Sequence, residues 1–86
     1  MMKNLNEGLE LIREMRVFQE KNLLNLGRRI VPTLTSDDVL QPNDFPELEM
    51  NPHFRYEEGI LHGIQSVEMA LQARLKDAIY NQAERD

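Results

Sequence analysis

The stretch VPTLTSDDVLQPNDFPELEMNP, Val31 to Pro52, holds all four prolines of the chain, and it divides two long segments that have none. Pro32 disfavours helical geometry at Val31, so a helix arriving from the N-terminal side stops there. At the other end Asn51 offers a side-chain acceptor for an N-cap. Pro52 then takes the first helical position, where its missing N–H is no loss. Between these stops the stretch is too apolar for a flexible tether, because Leu34, Val39, Leu40, Phe45, Leu48 and Met50 are spread through it. These side chains are expected to pack onto whatever the flanking segments form. Thr35 and Asp38 have the spacing of an acidic capping box closed by Pro42, and Pro46 to Met50 suits a further single turn. The crossover therefore reads as a run of short helical turns.

Before it, from about Asn4 to Ile30, a helical wheel gathers Leu5, Leu9, Leu11, Ile12, Met15, Phe18, Leu23, Leu26 and Ile30 on one broad half. The other half carries Asn6, Glu7, Glu10, Arg13, Glu14, Glu20, Lys21 and Arg28, interrupted by Val17 and Leu24, which read either as a site covered by a second element or, the favoured reading, as ordinary isolated surface residues. Arg28 and Arg29 suit the C-terminal end of the helix dipole, and Gly27 reads as a place where the last turn frays. After the crossover, from Pro52 to about Glu84, Ile60, Ile64, Val67, Leu71, Leu75 and Ala78 form a narrower stripe flanked by Tyr56, Leu61 and Ile79. At about 1.5 Å per residue the two helices are ~40 and ~48 Å long, suited to lie antiparallel. The expectation is one all-α domain over residues 1–86, with a helix over 4–30, a packed crossover over 31–51 and a helix over 52–84. No internal repeat and no sustained heptad is read, since the first apolar arc is too wide for a strict two-stranded coiled coil.

A two-helix hairpin buries only the facing stripe of each helix, so the wide first arc asks for a further surface. Gly59, Gly63, Ser66, Ala70 and Ala73 form a second face of small residues suited to close helix contact. The simplest completion is a homodimer in which two hairpins make a four-helix bundle.

Composition narrows the function. The 86 residues lack cysteine, which removes disulfides, thiolate ligands and cysteine nucleophiles. No apolar run is long enough for a signal peptide or a membrane span, so a soluble, cytoplasmic protein is expected. The net charge of −5 is lodged in residues 32–58, which carry one basic and seven acidic groups. That field disfavours nucleic acid, and the mixed charges on the polar face of the first helix disfavour a lipid surface. Glycine-rich phosphate loops and a supported Ser or Thr nucleophile are missing, so no cofactor is expected. His53, Glu57, Glu58, His62 and Glu68 are the one concentration of metal-capable side chains, with His53 and Glu57, and Glu58 and His62, each four residues apart. The Glu-x-x-His motif of di-metal bundles does not occur, which leaves a metal-dependent site as the alternative reading only.

What remains is a non-catalytic protein-interaction, adaptor or assembly role. The crossover residues Asp37, Asp38, Asp44, Phe45, Glu47, Leu48 and Glu49 are its candidate patch. They form either a recognition surface for a protein partner or a lid with apolar residues inward. Phe45→Ala is expected to lower the melting temperature clearly, as for a lid. An unchanged melting curve with loss of a captured partner would instead mark Phe45 as a recognition residue.

Overall fold

The computed structural model describes residues 4–84, with side chains for all of these except 43 and 80–84; residues 1–3 and 85–86 lie outside the described residues. The order is α1 (Leu5–Ile30), α2 (Ser36–Val39), a 3₁₀ turn (Pro42–Asp44), α3 (Pro46–Glu49) and α4 (Pro52–Glu84). The two long helices dominate the packing. They run antiparallel: Leu5 at the start of α1 shares a groove with Leu71, while Leu26 and Arg29 near its end share one with His53.

Local chemistry sets each boundary. Asn4 caps α1 by accepting from the Glu7 N–H at 3.0 Å. Val31 leaves helical geometry at φ −124°, and the Arg28 side chain donates to the Leu34 carbonyl at 2.9 Å, tying the turn back onto the helix. Thr35 and Asp38 form the reciprocal box, Asp38 N–H to Thr35 Oγ1 at 3.2 Å and Thr35 N–H to the Asp38 carboxylate at 2.9 Å. Asn51 caps α4 by accepting from the Phe54 N–H at 2.9 Å. These bonds satisfy donors that a helix start leaves without an intrahelical partner.

The seam between α1 and α4 has heptad spacing after all. On α1 it runs through Leu9, Ile12, Arg16, Gln19, Leu23, Leu26 and Ile30, and on α4 through Phe54, Glu57, Leu61, Ile64, Glu68, Leu71 and Leu75, each buried or half-buried. Steps of three and four keep one stripe of each helix on its partner. Four polar residues sit inside this seam, which is why apolar periodicity alone did not reveal it.

Packing is unequal along the hairpin. Leu23, Leu34, Val39, Leu48, Phe54 and Leu61 form one buried cluster at the crossover end, with Leu24, Leu26, Ile30, Val31 and Phe45 packed around it. The crossover covers the side of the hairpin that carries Val17 and Leu24 on α1 and His62 and Gln65 on α4. Leu24 thereby joins the core margin, whereas Val17 stays exposed.

Gly27 corrects the expectation of a fraying end, because it is buried within intact helix. A Cβ there would strike the Leu34 side chain and lie 3.4 Å from Phe54 Cε2. The missing side chain lets the crossover reach α1. Gly27→Ala is expected to cost about 1–2 kcal/mol, since neither fully buried neighbour can yield freely and the gain in helix propensity offsets only part. Gly59→Ala, where a Cβ meets nothing within 4 Å, is expected to stabilise by up to ~1 kcal/mol. Urea midpoints of the two variants check the opposite signs.

Candidate functional site

The middle of the α1/α4 seam is polar. Arg16 donates to Glu68 at 2.7 Å and to Glu20 at 2.8 Å, and Arg13 lies 3.7 Å from the second Glu68 oxygen. Glu68 is only 8% exposed, so its charge depends on these guanidinium partners. The hydrogen bond that Arg16 donates to Glu68, with the negative charges of Glu68 and Glu20, raises the Arg16 pKa above its ordinary value against the opposing effect of burial. A raised value keeps the cation present up to and beyond the ordinary arginine range, so loss of its proton does not break this layer at neutral or moderately alkaline pH.

One turn along α1, Gln19 donates from Nε2 to the Glu57 carbonyl at 3.0 Å and to its carboxylate at 2.7 Å, and it accepts from Asn22 at 3.4 Å. His53 Nε2 stands 3.7 Å from Glu57. No buried side-chain polar atom among the described residues lacks a partner.

This arrangement disperses the metal-capable side chains. Glu57 is engaged by Gln19 and Glu68 by Arg16. His62 faces the crossover basin beside Glu58, which pairs with Arg55 at 3.0 Å. Among the described residues no group of three or more His, Cys, Asp or Glu side chains comes close enough to hold a metal ion. No described helix is long and apolar enough to cross a membrane.

The crossover patch is divided by burial. Leu48 is fully buried in the core cluster and Phe45 packs against it, while Asp37, Asp44, Glu47 and Glu49 are exposed and Asp38 is committed to the capping box. The outward apolar groups there are Leu40 and Met50. On α4 the small residues Gly59, Gly63, Ser66, Ala70 and Ala73 are all exposed, and nothing in the chain approaches either glycine.

A further apolar surface lies on the side of the hairpin that the crossover leaves bare. One residue back from the buried seam on each helix runs a second row with the same spacing. It comprises Gly8, Leu11, Met15 and Phe18 on α1, and Tyr56, Ile60, Gly63, Val67 and Ala70 on α4. Leu11, Met15, Phe18, Tyr56, Ile60 and Val67 are exposed, Phe18 at 66%. Between the rows runs an apolar groove floored by Ile12 and Ile64, with Met15, Ile60, Gly63 and Val67 along it, and it continues past Gly8, Leu11 and Leu71 to Leu5. Toward the crossover the same side turns polar, with Asn22, Asn25, Arg29, His53 and Glu57.

Two of the five small residues, Gly63 and Ala70, belong to this row. Gly59, Ser66 and Ala73 lie farther round α4, toward solvent. The wide apolar arc of α1 signalled the surface, but separating its buried row from its exposed row requires knowing that Arg16 and Gln19 belong inside.

Breaking the polar layer from one side is predicted to cost more than removing it. Arg16→Met leaves Glu68 buried with only the more distant Arg13, an expected loss of ~1–3 kcal/mol after allowance for partial exposure. Arg16→Met with Glu68→Leu is expected to recover most of that loss or to exceed the wild type. A double-mutant cycle by thermal unfolding measures both.

Comparison with protein-family models, with curated proteins and with solved structures finds no match.

Proposed function

We propose that the chain is a non-catalytic assembly protein that acts through self-association, two hairpins joining by their bare apolar sides into a four-helix bundle. The observation that carries this is the second heptad row: both long helices present it, on the same side, with Leu11, Met15, Phe18, Ile60 and Val67 exposed. A surface two helices wide and apolar along its groove fits another helix pair of the same kind.

Area favours a second copy as the occupant. A compact chain of 10.1 kDa exposes about 5,300 Å², whereas this one exposes 6648 Å². The excess of roughly 1,400 Å², spread over the whole rod and including the part of α4 that runs past the start of α1, is larger than the ~800 Å² that one partner gives to an interface of standard size. The shape agrees: the radius of gyration is 16.8 Å against about 12 Å for a compact domain of this length. Pairing along the 55 Å axis thickens the rod and buries the open half of the hairpin. The dispersed titratable groups and the absence of a metal-binding cluster among the described residues support a role in contact rather than chemistry.

Sedimentation of the full chain at micromolar concentration is expected to give a dimer near 20 kDa. Phe18→Glu removes an apolar side chain that the hairpin itself does not need. It should shift the mass to that of one chain with far-UV circular dichroism unchanged and dissociation at least about tenfold easier. A wild-type mass of one chain at 100 micromolar, or a dimer indifferent to Phe18→Glu, would refute this reading. A monomer that instead captures another helical protein through the same face would assign the surface to a different partner.

A further inference from the structure

We infer that the second copy lies with its crossover at the opposite end, so that α1 stacks on α1 and α4 on α4 about a two-fold axis crossing the hairpin near Leu11 and Val67. This rests on the self-association proposed above and gives it a geometry. Two closed arrangements are open to a flat helix pair. In the same-end form the axis runs along the helices, α1 lies over the partner's α4, and both crossovers share one end. In the opposite-end form the axis runs across the helices. Neighbouring helices are antiparallel in both, so helix dipoles do not choose between them.

The division of the bare side into two halves does choose. Its apolar half spans Leu5 to Phe18 on α1 and Ile60 to Leu71 on α4, and its polar half holds Asn22, Asn25, Arg29, His53 and Glu57. The same-end form covers the apolar half only by laying one polar half over the other. Amide, imidazole and carboxylate groups then lose water, although Glu57 already serves Gln19. Turning the partner end for end about the centre of the apolar half buries the same apolar surface. It also carries Asn22, Asn25 and Arg29 past the start of the partner's α1, where they stay hydrated; these α1 groups separate the two forms, since His53 and Glu57 come level with the last turns of the partner's α4.

Large and small residues then alternate across the axis. Gly8 stands opposite Met15 of the second copy, Val67 opposite its counterpart, and Gly63 near Leu71, so the two glycines admit the bulkiest neighbours. Charge acts in the same direction. Residues 32–58 carry a net −6, and opposite-end stacking keeps the two acidic crossovers at the far ends of the bundle instead of side by side, beyond the ~8 Å screening length of physiological salt. The crossover occupies the other side of the hairpin, so its basin at Val39, Leu40, Pro42, Leu61 and His62 stays uncovered at each end. An adaptor built this way holds two identical surfaces apart at its ends.

Because the chain has no cysteine, single-cysteine variants report orientation cleanly. Under mild oxidation Val67→Cys alone is expected to give a disulfide-linked dimer, its two Cβ atoms facing each other at the axis. If Val67→Cys alone does not link but a mixture of Leu11→Cys and Val67→Cys chains does, the same-end form holds and the proposal is overturned. A spin label on Thr33→Cys, exposed in the turn after α1, is the independent readout should Val67→Cys weaken association. Opposite ends predict a separation on the order of 60 Å and a shared end ~20 Å. A wild-type chain that sediments as a monomer overturns the self-association reading itself, whereas a dimer with the short label distance overturns the orientation alone.

Discussion

Two helices in contact can shield only one stripe each from water, and the rest of this structure follows from how the chain meets that limit. At one end the crossover supplies the missing layer. Leu34, Val39 and Leu48 descend onto Leu23, Phe54 and Leu61, and Gly27 gives up its side chain so that Leu34 can reach the helix. At the other end no third layer exists among the described residues. Leu9 is buried there, but Leu11, Met15, Phe18 and Val67 face outward. The hairpin is closed at one end and open at the other, and the open end carries the face proposed for self-association.

The polar layer in mid-seam separates these two halves. Arg16, Glu20 and Glu68, with Gln19 and Glu57 beside them, satisfy one another, so their burial is tolerated. Such layers seldom add much net stability over a well-packed apolar pair, but a slipped register would leave a carboxylate and a guanidinium unpaired. Specification of the α1/α4 register fits this geometry. Glu68 is answered by Arg16 and Glu57 by Gln19 from the facing helix, and Glu58 by Arg55 on its own helix.

The acidic crossover, conspicuous in the sequence, turns its apolar side chains inward at Leu48 and Phe45 and its carboxylates outward. Its charge is what a solvated cap over a core requires. The less conspicuous surface, a row of ordinary apolar residues one position away from the buried seam, carries the stronger case for the proposed function, because it remains bare while the crossover covers the apolar cluster of the closed end.

Read alone, the sequence determined the two helices, their stops and the caps at Thr35 and Asn51, because capping and proline chemistry are local and act within three or four residues. It also marked the crossover as packed, since six apolar side chains in a tether have no other use. Only tertiary structure decided which half of the broad α1 arc is buried. That choice depends on Arg16 and Gln19 reaching partners about forty to fifty residues away, and periodicity counts such residues as solvent-facing. The role of Gly27 was hidden for the same reason: the need for a missing side chain arises from Leu34 and Phe54, which meet it only once the chain has turned back on itself.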